Sequence, residues 1–263
     1  MCLILFRFQP DSPQSLVVAA NRDEFYARPA LAAHYWQDRP GIFAGRDLTA
    51  GGSWLGVTRS GRFAALTNFS AGDPPQNYPA SRGELVADFL ASQVSADAYV
   101  QGIDPNRYAG FNLLVYDGEA LHYTTNKGFP SEKLSPGTYG LSNAELSADW
   151  PKATDGAAAL AQALDTTPAT AATIPNLLQV LTDRTPPADD RLPKLRHTQT
   201  LPLERRRSLG ARFISGEDYG TRAMTLVRIS NEHTDVFEQQ LGAQGTPGSA
   251  IFARLPRQVA ISS

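Results

Sequence analysis

The sequence predicts an α+β protein whose sheets are mainly antiparallel. Two observations carry this. Short apolar runs flank turn-rich spacers four times along the chain, and a few stretches with helical spacing lie between those pairs. Runs joined by short turns are hairpins, and hairpin strands are antiparallel neighbours.

The first pair is Leu3-Ile4-Leu5-Phe6-Arg7-Phe8 and Ser15 to Ala20, around Gln9-Pro10-Asp11-Ser12-Pro13-Gln14. The second run leads into Asn21-Arg22-Asp23-Glu24. With the turn centred on Asp11 or Ser12, antiparallel pairing sets Cys2 opposite position 21 or 22. Phe25 to Arg39 mixes aromatic and polar residues, is broken by Arg28-Pro29, and reads as a covering loop. The glycines between Gly41 and Val57 match neither a P-loop nor a dinucleotide fingerprint, and read as turns between short strands.

Trp54 to Thr58 and Phe63 to Asn68 flank Arg59-Ser60-Gly61-Arg62, a second hairpin that leaves Asn68 at a strand edge. Ser81-Arg82-Gly83-Glu84 fits a capping box, and Leu85, Val86, Phe89 and Leu90 follow at helical spacing. A third hairpin joins Phe111–Tyr116 to Ala120–Thr124 through Asp117-Gly118. Thr138–Leu141 reads as a strand leading to Ser142-Asn143. Alanine-rich Gly156–Leu164 and proline-started Pro175–Leu181 read as helices. Proline-rich Thr185–Pro202 is a linker or a surface loop, with a lid role left open. Arg222–Ile229 and Thr234–Gln240 form the fourth hairpin, and the Gly/Pro-containing tail beyond Leu241 reads as irregular.

Of 263 residues, 42% are hydrophobic and 19% charged, which supplies a core and excludes a disordered chain. The length suits one domain over residues 1–263. A net charge of −2 gives no electrostatic case for nucleic acid. Arg205-Arg206-Arg207 is too short to change that and reads as a solvated loop or helix face. The single cysteine excludes an intrachain disulfide, and no Cys/His spacing resembles a zinc site, so no metal is expected. The N-terminal apolar run is too short for a signal-peptide core, and no stretch approaches the roughly 18–20 apolar residues of a membrane span. A reducing, cytoplasmic setting is the expectation.

Cys2 acquires special chemistry if Met1 is removed. An N-terminal cysteine carries a nucleophile and, in an α-amine titrating near ~7.7–8.0, its own base. Nearby cations favour the thiolate. The alternative is a small apolar residue that starts a buried strand.

Met1-Cys2-Leu3-Ile4, Ala20-Asn21-Arg22-Asp23-Glu24-Phe25-Tyr26-Ala27-Arg28-Pro29 and Gly52-Ser53-Trp54-Leu55-Gly56-Val57 resemble motifs of the NRDE family. So do Leu66-Thr67-Asn68, Ser81-Arg82-Gly83-Glu84-Leu85, Gly140-Leu141-Ser142-Asn143, Trp150-Pro151-Lys152 and Tyr219-Gly220-Thr221-Arg222. That family is also called the transport and Golgi organization protein 2 family, and the resemblance runs in order from residue 1 to about residue 240.

A more distant likeness is to the N-terminal-nucleophile amidases that include bile salt hydrolase and penicillin V acylase. It implies a four-layer αββα sandwich of two mainly antiparallel sheets, a small amide or acyl ligand, and no required cofactor. It also implies roles. Cys2 attacks, Asp23 orients the nucleophilic residue, Asn68 supplies an oxyanion donor, Asn143 (with Ser142) positions the site, and Arg222 supplies charge. Asn21, Arg22 and Glu24 are supporting residues. Those amidases carry an arginine three residues before the aspartate, where this chain has Ala20. Arg22 is the nearest substitute, and strand alternation points it away from Asp23. A structural account stands beside each: Arg22 pairing Glu24 or another carboxylate, Asn68 and Asn143 capping turns, Arg222 satisfying Asp218 or Glu217.

Two functions follow from the resemblances. One is hydrolysis of a linear, non-peptide N-acyl amide through a Cys2 thioester, with Phe25, Tyr26, Tyr35 and Trp36 available to line an apolar pocket. The other is a non-catalytic protein that binds or traffics haem or an acyl lipid. Axial ligands for haem would come from His34, His122, His197, His233, Cys2 or the tyrosines.

Overall fold

The structure is a computed structural model that describes residues 2–69, 76–146, 148–166, 173–192 and 201–257. Its strands are β1 (Cys2–Phe8), β2 (Gln14–Phe25), β3 (Ala30–Tyr35), β4 (Ile42–Asp47), β5 (Leu55–Thr58), β6 (Phe63–Asn68), β7 (Phe111–Tyr116), β8 (Leu121–Thr125), β9 (Glu132–Lys133), β10 (Gly137–Leu141), β11 (Tyr219–Ser230), β12 (His233–Leu241) and β13 (Pro247–Pro256). Among the described residues they form two antiparallel sheets. One runs β10-β1-β2-β11-β12-β13, and the other β3-β4-β5-β6-β7-β8-β9.

Three apolar layers define the stacking. Ile4, Phe6, Val18 and Val227 of the first sheet meet Val57, Ala65, Leu114 and Tyr123 of the second in the central layer. Helices α1 (Arg82–Ala91) and α2 (Ala96–Gln101) cover the outer face of the second sheet through Leu85, Val86, Phe89 and Val100. Helices α3 (Pro151–Thr166) and α4 (Thr173–Leu181) cover the first through Leu160, Leu177 and Leu181, against Leu3, Leu5 and Ala19. The result is the expected αββα sandwich, and strand alternation accounts for it. Even-numbered residues of β1 face the other sheet, and odd-numbered ones face the helices.

All four hairpins form, and Cys2 pairs with Arg22 and Leu3 with Asn21, as a turn centred on Ser12 requires. Ser81 caps α1 through the capping box its sequence encodes. The arginine triplet lies on a short helix, α5 (Leu203–Gly210).

Two readings need correction. Phe25–Arg39 is not wholly loop, because β3 pairs with β4; a bulge between Leu31 and His34 hides its alternation. The tail is not irregular: β13 is an edge strand on β12, with prolines at both ends and half-buried Ile251 and Ala253 facing the core. Of Thr185–Pro202, residues 193–200 lie outside the described residues, as do Met1 and His197. No described helix is long and apolar enough to cross a membrane.

Candidate active site

The Cys2–Arg22 pairing sends both side chains toward the second sheet, because directly opposed residues share a face. Asp23 lies on the opposite face, toward the helices. A cleft of about 140 Å³ opens at this end of the sandwich, lined by Cys2, Glu24, Trp54, Asn68 and Arg82 among others.

Arg82 reaches the cleft because helix α1 docks unusually close to the β4–β5 turn. A Cβ on Gly52 would lie 2.3 Å from the Gly83 carbonyl carbon, so only glycine permits the approach. The Ser53 N–H donates to the Gly83 carbonyl at 3.2 Å and fixes it. One Arg82 nitrogen, Nη1, donates to the Gly110 carbonyl at 3.0 Å. Burial lowers the Arg82 pKa, while the nearby Cys2 thiol opposes that shift. Arg82 thus lines the same cleft as Cys2 from an element distant in sequence.

Asn68 ends β6, and the segment after β10 holds it. Asn143 Nδ2 donates to the Asn68 carbonyl at 2.7 Å. Ser142 Oγ donates to the Cys2 carbonyl at 2.8 Å and also lies 3.2 Å from Asn143 Oδ1. Beneath them Thr67 Oγ1 donates to the Ser142 carbonyl, and Asn112 Nδ2 donates to the Ala144 carbonyl at 2.9 Å. Tyr123 OH closes the network on Asn112 Oδ1 at 2.8 Å. Largely buried, hydrogen-bonded networks of this kind fix position. Asn143 therefore spends its amide on holding Asn68, while Asn68 lines the cleft.

Arg22 and Arg28 meet on Asp47. Arg22 Nη2 donates at 3.0 Å, and Arg28 donates through Nε at 2.6 Å and Nη2 at 3.1 Å. The Arg22 guanidinium also lies 4.1 Å from the Trp54 ring centroid. Burial pushes the Asp47 carboxyl up, but Arg28, the Ala50 N–H and Arg22 together hold it below its ordinary value. Arg222 is the extra residue of a bulge between Thr221 and Ala223, where β11 pairs with β2. Its Nη1 donates to the Phe25 and Arg28 carbonyls, so it braces the turn after β2 and bonds neither Asp218 nor Glu217. Asn21 faces the helices, where Nδ2 donates to the Leu181 and Arg212 carbonyls at 3.0 and 2.8 Å. Glu24 lies at the cleft, with Oε1 accepting the Phe25 N–H at 2.9 Å.

Asp23 is buried. Thr221 Oγ1 donates to its Oδ1 at 2.8 Å, and Lys152 Nζ lies 3.9 Å from Oδ2. Burial raises the Asp23 pKa, opposed by Lys152; burial lowers the Lys152 pKa, opposed by Asp23 and Cys2. The site reading from sequence did not include Lys152, Arg82 or Thr221. Each falls within a motif quoted for the family resemblance, and that was the available signal.

The expected aromatic lining does not form from the residues named for it. Trp36 is buried and donates from Nε1 to the Ala44 carbonyl at 3.1 Å, Tyr35 packs on Phe43, and Phe25 is exposed against Tyr219. Trp54 is the aromatic side chain on the cleft wall. None of the described histidines lines it, and the described residues contain no cluster of three His, Cys, Asp or Glu side chains that could hold a metal.

Comparison with known proteins finds similar sequences and, separately, solved structures of low similarity. The chain is 40% identical over 168 residues to the human Transport and Golgi organization protein 2 homolog, covering 58% of this chain and 60% of that protein. It is 33% identical over 129 residues to the Drosophila melanogaster Transport and Golgi organization protein 2, covering 43% and 45%. The matched stretch thus spans about three fifths or less of these curated relatives. Among solved structures, a Caenorhabditis elegans N-acylethanolamine-hydrolyzing acid amidase ortholog gives a TM-score of 0.43 at 10% identity, covering 69% of this chain and 86% of that one. A variant of conjugated bile acid hydrolase from Clostridium perfringens gives 0.45 at 9% identity, covering 99% of each chain. The family model described as Transport and Golgi organisation 2 matches residues 1–243. A match over that much of its length places the chain in the Transport and Golgi organisation 2 family.

Proposed function

We propose that the chain is an N-terminal-nucleophile cysteine amidohydrolase that cleaves a small linear amide once Met1 is removed. The observation that carries this reading is that Cys2, Asn68 and Arg82 line one cleft from β1, β6 and the start of α1. In the proposed reaction the Cys2 amine takes the thiol proton, and the sulfur attacks the amide carbon. The Asn68 side-chain amide donates to the oxyanion, and Arg82 favours the thiolate before attack. The ammonium then protonates the departing nitrogen as the C–N bond breaks, leaving a Cys2 thioester. Water, deprotonated by the same amine, hydrolyses the thioester and restores the thiol.

The wall carries Arg22, Arg28, Asp47 and Glu24 beside Trp54 and Leu66, which suits a short polar amide better than a long acyl chain. For the competing reading, a haem or acyl-lipid carrier, Cys2 is the candidate axial ligand that lines the cleft among the described residues.

Intact-mass measurement followed by incubation with a panel of N-acyl amino acids tests the proposal. The expected result is loss of Met1 and an acyl adduct on Cys2 that is absent in Cys2→Ala. Retained Met1, or no adduct and no turnover across the panel, overturns it. A saturable haem absorbance shift in a protein without turnover would favour the carrier.

A further inference from the structure

The Lys152 ammonium has no part in the chemistry above, yet it is held where an uncompensated charge is costly. Its side chain is fully buried, as is that of Asp23, and the two approach to 3.9 Å. Nζ makes no hydrogen bond among the described residues and lies 5.3 Å from the Trp150 ring centroid. A buried lysine in this position brings no packing advantage over an apolar side chain of its length, so its charge calls for a reason.

We propose that Lys152 is a positioning residue whose ammonium neutralises Asp23, so that the carboxylate orients the Cys2 amine without locking it in its protonated form. This rests on the N-terminal-nucleophile reading and deepens it. A lone carboxylate beside an N-terminal amine favours the ammonium, which is useless as a base, and disfavours the thiolate. A cation behind that carboxylate cancels both effects. The groups around the pair are few. Cys2 comes from β1, Glu24 from β2, Tyr26 from the turn after it, Tyr219 and Thr221 from β11, and Arg82 from α1 on the thiol side, while the chain's N-terminal amine joins Lys152 in opposing the rise of the Asp23 pKa. Among these, Lys152 is the cation on the helix side of Asp23. Tyr219 OH donates to the Asp23 backbone carbonyl at 3.1 Å, and its buried phenol is pushed well above its ordinary value. It thus stays neutral and leaves the balance to Lys152 and Asp23.

The pH dependence of Cys2 alkylation by iodoacetamide reads that balance without requiring turnover. Lys152→Met removes the positive charge behind Asp23 and leaves more of the carboxylate's charge acting on the amine and thiol of Cys2, so the apparent midpoint of alkylation should rise by about one pH unit, a tenfold effect at fixed pH. Lys152→Arg should track the wild type. Lys152→Met combined with Asp23→Asn removes both charges, should fold where the single variant does not, and should return the midpoint to within ~0.3 unit of wild type. A folded Lys152→Met with an unmoved midpoint overturns the proposal, and so does a double variant shifted by a full unit. Those results in a protein that forms the Cys2 acyl adduct refute the Lys152 role alone. A missing adduct instead refutes the hydrolase reading and leaves the midpoints to decide the charge coupling.

Discussion

Replacing Asp47 by asparagine should be among the most destabilising single changes at the cleft. The carboxylate accepts Arg22 at 3.0 Å, Arg28 at 2.6 and 3.1 Å, and the Thr49 and Ala50 N–H groups at 3.1 and 2.9 Å. The two arginines differ in exposure: the Arg22 side chain is 7% exposed and Arg28 34%. Neutralising Asp47 strands the buried Arg22 charge over Trp54, and breaking a buried pair from one side costs ~3–5 kcal/mol. Arg28→Met leaves the Arg22–Asp47 pair intact and removes a partly solvated partner, which is worth about 1 kcal/mol or less. Urea unfolding followed by tryptophan fluorescence measures both, with Trp54 close to the perturbation. The sign with pH is set by the lowered Asp47 pKa. Its contribution is present above the ordinary carboxylate range and fades as pH falls through the depressed folded value, so the wild-type advantage over Asp47→Asn should shrink below about pH 4. A loss under about 1 kcal/mol for Asp47→Asn, or an equal loss for Arg28→Met, would refute this account of the hub.

Other outcomes follow from the same geometry. Asn68→Ala should slow formation of the Cys2 acyl adduct by ~10²–10³-fold with the fold intact by circular dichroism, the loss expected for one oxyanion donor; an unchanged rate removes Asn68 from that role. Gly52→Ala drives a Cβ into the Gly83 backbone at 2.3 Å, so it should cost roughly 1–3 kcal/mol in a denaturant titration and slow Cys2 alkylation by displacing Arg82. Glu238 is buried between the sheets with Oε1 accepting the Ala33 N–H at 2.7 Å, and burial raises its pKa. The ionised form is therefore the costly one. Glu238→Gln should match or exceed wild-type stability near neutral pH, and wild type should gain on it as pH falls through the raised value; thermal melts across pH that show the reverse order would contradict this.

Local chemistry made much of the fold legible. Paired apolar runs with Gly, Pro and Asp spacers specify hairpins whose register the turn imposes, so Cys2 opposite Arg22 could be read from residues 2 to 22. Strand alternation likewise separated Arg22 from Asp23, and the structure sends one to Asp47 and the other to Thr221 and Lys152. The misread segments were those where local signals are weak. The bulge breaks the alternation of β3, and β13 exists because β12 offers it an edge.

By itself, then, the sequence determined what depends on near neighbours: the hairpins, the caps, the face each strand residue takes, and the thiol at position 2. The tertiary structure alone decided which distant groups surround that thiol. Pairing of β11 with β2 brings Thr221 to Asp23 across 198 positions, α3 packing delivers Lys152, and two glycines let α1 deliver Arg82. Strand order and helix docking are settled by burial of whole faces summed over the core, and no local window of sequence contains that sum.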